Sequence, residues 1–286
     1  MVSTNCVWFQ TDDAWDFIPD GQKLNLPIID VRKEARALRF ITSASQIKAF
    51  DARHASKFRP FTLYGSGDFH HLSALWMRQF QEPFTLLSFD NHPDWDIRPP
   101  RWSCGAWINR ALENPRVQQV SIWGCGNFEC NFPWRLLGNR SVAREGRLRV
   151  HPWAQNGKTY PSWLSPLTSE TWKSQFAGWV AAQSGHKIYV TIDMDCLFSS
   201  EVVTNWENGR FTCDDLLWAL HTLREKAEII GGDLCGAWSQ PNYQTAFQWL
   251  AGWFDHPPTA SPPREELISR NLRAFQQLWP ALTGSL

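Results

Sequence analysis

Short apolar runs alternate along this chain with stretches whose apolar positions recur every three or four residues. The runs Pro27–Val31, Phe61–Tyr64, Phe84–Phe89, Val117–Trp123, Leu148–His151, Ile188–Ile192 and Glu228–Gly231 predict strands. Several are apolar at consecutive positions, as expected of strands covered on both faces. Between them, Leu72, Leu75, Trp76 and Phe80 fall on one helical stripe, as do Trp172, Phe176, Trp179 and Val180. Thr212-x-x-Asp215 reads as a capping box leading into Leu216, Leu220 and Leu223. A last helix, after Pro262-Pro263, puts Ile268, Leu272, Phe275 and Trp279 on one side. Such alternation predicts the α/β class, with a mostly parallel sheet and helices on both faces. The stretch 139–169 is the least regular and reads as an insertion or a surface excursion rather than a linker.

In sheets of this kind a site lies beyond the carboxyl ends of the strands. Three acidic stretches fall there: Asp90-Asn91-His92-Pro93-Asp94, Asp193-Met194-Asp195, and Asp233. Gly65-Ser66-Gly67-Asp68-Phe69-His70-His71 follows another strand. Any one of these aspartates alone reads as a turn or cap residue. Together with a histidine they read as a site for hard or borderline divalent metal, because carboxylates at the ends of buried strands are costly unless neutralised. If the strands stay extended, Asp90, His92 and Asp94 face one way, and Asp193 and Asp195 likewise. An oxygen-rich set with one imidazole per metal suits two Mn²⁺ ions, with Fe²⁺, Co²⁺ or Zn²⁺ as competitors. Two neighbouring ions lower the pKa of a shared water.

Composition narrows the partners. The 286 residues suit one large domain, 1–286, and lysine plus arginine balance aspartate plus glutamate at 28 each. A net charge of zero argues against nucleic acid or an anionic membrane as the main partner. No apolar run is long enough to span a bilayer, and no basic segment followed by an apolar one opens the chain, so the expected compartment is the cytoplasm. Seven cysteines without a C-x-x-C pair read as reduced thiols. Cys104 is read as a packed thiol rather than a nucleophile. Asp96 and Arg98 read as a surface ion pair rather than as lining of the site's mouth. Trp95, Trp102 and Trp107 read either as packing or as an aromatic wall for an apolar or cationic substrate. His54, His151, His186, His221 and His256 are given no role.

The order of the motifs resembles the arginase/agmatinase (ureohydrolase) family, whose signatures are a G-G-D-H-S loop, a D-A-H-x-D stretch and an S-x-D-x-D stretch. Here they stand as Gly65–His71, Asp90–Asp94 and Thr191-Ile192-Asp193-Met194-Asp195, and the resemblance runs from about Phe61 to Gly236. It implies a three-layer α/β/α fold and a binuclear manganese centre. Asp90 and Asp193 would bridge the ions, Asp94 with His70 or His71 would complete one, and His92 with Asp195 the other. An extra residue after Asp68 leaves the choice between His70 and His71 open, the other histidine then meeting substrate or a ligand.

Two departures bear on the reaction. The family's glutamate for the substrate guanidinium stands three residues after the aspartate of the last motif, where Asp233-Leu234-Cys235-Gly236 has glycine, so that Asp233 replaces it only with a shifted strand. The histidine expected some fifteen residues after D-x-H-x-D is also missing from Ser103–Asn109. The expectation is therefore a metal-dependent hydrolase of C–N bonds acting on an amidine, guanidine or amide, with arginine itself expected to be a poor substrate. Asp94, His71 and Asp233 are the candidate catalytic residues and a small molecule is the partner. The alternatives are a deacetylase-like amidohydrolase and a metal-binding protein without catalysis. Assembly with further copies of the chain stays open.

Overall fold

A computed structural model describes residues 5–19, 26–256 and 262–285. Ten strands are present among them: β1 (Cys6–Gln10), β2 (Ile28–Asp30), β3 (Ile41–Thr42), β4 (Phe61–Tyr64), β5 (Phe84–Phe89), β6 (Trp102–Ser103), β7 (Val117–Cys125), β8 (Leu148–Pro152), β9 (Lys187–Asp193) and β10 (Glu228–Cys235). Eight form one sheet in the order β2-β1-β4-β10-β9-β5-β7-β8, every pairing parallel. β3 and β6 make a separate antiparallel pair.

Side chains alternate across each strand, so consecutive apolar residues feed two different cores. On one face Leu87, Phe89, Ile188, Val190, Ile192 and Leu234 pack against the helices Trp172–Ala182, Cys213–Arg224 and Arg264–Thr283. On the other, Phe84, Leu86, Val120, Ile122 and Tyr189 meet Ile47 and Phe50 of the helix Ala44–His54 and Trp107 and Ile108 of the helix Trp107–Leu112. The result is the predicted three-layer α/β/α arrangement.

All seven predicted strands are present, with boundaries shifted by a few residues. The capping box forms: Thr212 accepts from Asp215 N–H, and the Asp215 side chain accepts from Thr212 N–H. β1 was not among the predicted strands, although its side chains are buried and it pairs with β2 and β4. The stripe Leu72–Phe80 is broken rather than one helix, with 3₁₀ turns on either side of Ser73–Trp76. In the region 139–169, β8 is an edge strand and the chain beyond it makes only isolated bridges. No helix of the described residues is long and apolar enough to cross a membrane.

Candidate metal centre

β5 and β9 lie side by side with Phe89 opposite Ile192, so Asp90 and Asp193 emerge at the same level at the carboxyl edge of the sheet. Both motifs then leave the extended conformation, which corrects the ribbon picture. Asp90 Oδ1 accepts from His92 N–H at 2.7 Å, and Asp193 Oδ1 accepts from Asp195 N–H at 3.1 Å. Each D-x-[HD] unit is therefore an aspartate turn in which the first carboxylate holds the backbone of the third residue. The turns are stitched together by Asn91 N–H, which donates to Asp195 Oδ1 at 3.1 Å. Asp94 reaches the same centre from a left-handed backbone, φ 46°, which aspartate tolerates better than most residues.

The carboxylates converge on histidines. His70 Nδ1 lies 3.1 Å from Asp90 Oδ2, 3.3 Å from Asp94 Oδ2 and 3.4 Å from Asp193 Oδ2, yet is buried and makes no hydrogen bond. A lone pair aimed among three carboxylate oxygens fits a shared cation. His92 Nδ1 is 2.9 Å from Asp195 Oδ2 and 3.6 Å from Asp90 Oδ1. Two overlapping donor groups result, His70–Asp90–Asp94 and Asp90–His92–Asp195, with Asp90 common to both; a third joins His70 and Asp193 to Cys235. The oxygen-and-imidazole chemistry of the set fits the divalent ions expected from the sequence.

His71, adjacent to His70, is elsewhere. It belongs to none of the donor groups, does not line the cleft, and is sealed in the core, where burial and the neighbouring His70 push its pKa down to about 3. The geometry thus brings His70 to the centre and leaves His71 out. Asp233 also lies away from the cleft. It sits inside β10 opposite Thr191, and its carboxylate accepts from Thr191 Oγ1 at 2.6 Å, Tyr189 Oη at 2.7 Å and Ser73 Oγ at 3.1 Å. Thr191 in turn lies 2.9 Å from His70 Nε2. Asp233 is therefore linked to His70 through the Thr191 hydroxyl and stands behind the cleft, outside its lining.

Burial disfavours charge throughout, and the close neighbours decide how each group settles. Burial and the Asp90 charge raise Asp94 to about 8, while burial raises Asp195 to about 6 against the pull of His92. Burial and the Asp195 charge lift Asp193 well above the ordinary carboxylate range. For Asp90, burial is outweighed by His70 and His92, which hold it below its ordinary value. Burial opposes charge on both histidines, but Asp90 and Asp94 raise His70, and Asp195 raises His92. The centre is thus a set of acids in competition for too little positive charge. The ion-pair partners of these aspartates among the described residues are histidines, with no lysine or arginine.

The sequence did not reveal the supporting roles of several residues. Trp107 Nε1–H donates to Asp94 Oδ2 at 2.6 Å, so this tryptophan positions an acid as well as packing. Asp68 lies under the loop 198–210: Arg39 donates to it at 2.6 Å, Trp206 at 3.2 Å, and His256 Nε2 is 2.8 Å away. His256 therefore has a partner that its own sequence neighbourhood did not reveal. The loop brings Glu207 to 3.4 Å from His92 Nε2, at an exposed position on the rim. Glu129 and Asp255 line the same cleft, whose inner volume is about 60 Å³, and burial raises the pKa of each. Asp96 and Arg98 do pair, with Arg98 largely exposed as expected of a surface ion pair, beside an adjoining cavity.

Gly236 explains the missing glutamate. Its backbone has φ 100°, and a Cβ there would stand 2.1 Å from Asp193 Oδ1 and 2.6 Å from Met194 N. No side chain fits that position in this chain.

No protein-family model matches the chain. A curated relative, an uncharacterized protein of Thermotoga maritima, is 27% identical over 176 residues. That stretch is 61% of this chain and 57% of the relative, so the chain spans little more than half of the relative's length. The structure is similar to arginase from Medicago truncatula, with 14% identity, a TM-score of 0.55 and coverage of 96% of this chain and 86% of that one. It is similar also to formiminoglutamase from Trypanosoma cruzi, solved with Mn²⁺, with 12% identity, a TM-score of 0.56 and coverage of 97% and 93%. At these identities the likeness is one of architecture, and the chain has the arginase fold.

Proposed function

We propose that the protein is a divalent-metal hydrolase of C–N bonds in amidine, guanidine or amide compounds, with Mn²⁺ as the first candidate metal. The observation that carries this reading is the convergence of His70, His92 and four aspartates on one buried centre at the floor of a cleft. His70, Asp90, Asp94 and Asp193 would hold one ion, and Asp90, His92, Asp193 and Asp195 the other. Ions so held supply Lewis acidity and make water acidic enough to react near neutral pH. The chain's own side chains do the rest. Trp107 donates to one oxygen of Asp94 and so fixes this carboxylate in the orientation in which it would hold the ion. Thr191 and Asp233 fix the His70 ring, and Glu207 faces the outer nitrogen of His92. Trp206 closes the wall beside His92 and limits water access.

A substrate guanidinium is oriented best by a bidentate carboxylate. Gly236 offers none, and Asp233 is enclosed among hydroxyls. Arginine is therefore expected to turn over far more slowly than the 1–1000 per second, roughly, of working enzymes. The test is metal analysis of the purified protein after Mn²⁺ loading, followed by ammonia and urea release from a panel of amidines, guanidines and amides. One to two equivalents of metal and turnover of a panel member other than arginine are expected. Absence of bound metal after loading would remove the proposal.

A further inference from the structure

The cleft over the metal centre opens into a second cavity of about 450 Å³, and the two share Gly105, Phe128, Glu129 and Asp255 as a common wall. This outer cavity has the size of a small-molecule site. Its aromatic lining includes Phe40, Phe128, Trp134, Phe247 and Phe254. Most of these rings stand in solvent: Phe254 is 74% exposed, Phe247 63%, Phe128 51% and Trp134 50%. Apolar surface grouped in this way at the rim of a polar site marks a binding groove.

The helix Ala246–Asp255 supplies part of the lining through an inverted arrangement. Its inward residues are Gln248 and Gly252, while its large apolar residues point out. Gln248 anchors it by donating to the carbonyls of Arg39 and Ile41 at 2.9 and 3.0 Å, and Gly252 permits the Tyr243 ring to approach. An amphipathic helix normally buries its apolar face for stability. Here polar anchors hold the helix, and Phe247, Ala251 and Phe254 form a stripe at i, i+4 and i+7 along the cavity.

Charge restricts what the cavity takes. Arg98 is the one lysine or arginine among the described residues lining either cavity, and it is held by Asp96 through paired hydrogen bonds. Asn127, which also faces the cleft, is occupied by Glu129. No further lysine or arginine among the described lining residues is left to receive a carboxylate, whereas the acids Glu129 and Asp255 stand on the wall common to both cavities and Glu207 lines the inner one.

We propose that the substrate is an amidine or guanidine bearing an aromatic or long alkyl substituent and no carboxylate, its polar head at the metal centre and its apolar tail along Phe247 and Phe254. This rests on the hydrolase reading for the head group, while the tail site stands on the outer cavity. The experiment measures binding of 4-phenylbutylguanidine, agmatine and arginine to the metal-free protein by calorimetry, then turnover of each by the Mn²⁺-loaded protein. Burying a ring predicts affinity for the phenyl compound about tenfold or more above agmatine. Arginine should be weaker still. Phe247→Ala with Phe254→Ala, both at exposed positions, should bring the phenyl compound to the level of agmatine without changing Mn²⁺ content. Equal or tighter binding of arginine, or indifference to the double substitution, would overturn the inference while leaving the hydrolase reading intact. Selective binding of the phenyl compound without turnover of any compound would uphold the tail site and remove the hydrolase reading.

Discussion

At the floor of the centre the aspartates and His92 come from two adjacent strand ends and His70 from the 3₁₀ turn Gly67–Leu72; they are largely buried, and the strand-end acids are held by turns only three residues long. At its mouth, Phe40, Phe128, Glu207 and Phe254 come from four separate segments, and all but Phe40 leave much of their surface in water. The floor is over-determined, since each acid is fixed by backbone, by a neighbouring acid's turn, or by a side chain such as Trp107. The mouth depends on few anchors, chiefly Gln248 beneath the helix and Asp68 beneath the loop. A rigid floor with a loosely attached rim lets the reacting group be positioned closely while the rim changes to suit a substrate.

The sharpest break in this contrast should come from Asp193→Ala. The substitution removes a donor and leaves the other buried charges of the centre unbalanced, a loss on the order of 3–5 kcal/mol. The metal-loaded variant is expected to lose Mn²⁺ and to melt well below the wild type in calorimetry. Unchanged melting and metal content would show that the floor is not a charged network.

A change of pH acts on the same floor more gradually. Asp195 and Asp94 have folded pKa values raised to about 6 and about 8, and His70 is raised as well. Groups with raised folded values stabilise the protein at acid pH, and that stability is lost as pH rises through the folded values. Asp90, held low, opposes this only on the acid side of the ordinary carboxylate range. The metal-free protein should therefore melt progressively earlier between pH 6 and 8. Bound Mn²⁺ should reverse the trend, because its ligands bind deprotonated. Parallel thermal-melt curves with chelator and with Mn²⁺ would contradict this assignment of charge.

Thr191→Val tests the support behind the ligands. It keeps the volume but cuts the link from Asp233 to His70. Metal affinity should fall by about 10–100-fold, the usual consequence of losing such a partner. Titration of the metal-free variant with Mn²⁺ reads this directly, and wild-type affinity would make Asp233 a purely structural residue. The smallest effect belongs to the rim. Glu207→Gln should shift stability by no more than about 0.5 kcal/mol, as at other exposed sites, and leave Mn²⁺ content intact. A large drop in metal content would place Glu207 with the floor.

The alternation of apolar runs was enough to establish the parallel α/β class, because a strand buried on both faces has no polar side to interrupt it. One interior strand was harder to read: Cys6–Gln10 carries the same apolar character, but it is a short run set between the polar residues Asn5 and Thr11-Asp12-Asp13, and it went unrecognised as β1. The ligand stretches were legible because each places its donors within a few residues of a strand end. Their conformation was not, since alternation suggested extended ribbons where the carboxylates in fact bend the backbone into turns.

Local order thus determined which residues gather at the floor, and only the fold decided what each one does there. His70 and His71 are equivalent in sequence, yet the 3₁₀ turn Gly67–Leu72 sends one to the carboxylates and the other into the core. Asp233 looked like a third acid at the edge of the sheet until register placed it opposite Thr191 among hydroxyls. Gly236 looked like a loss until the approach of Asp193 showed that a side chain has no room. The mouth, assembled from segments more than two hundred residues apart, has no pattern within any one of them. Contacts between distant segments depend on tertiary packing, and neither periodicity nor motif spacing encodes them.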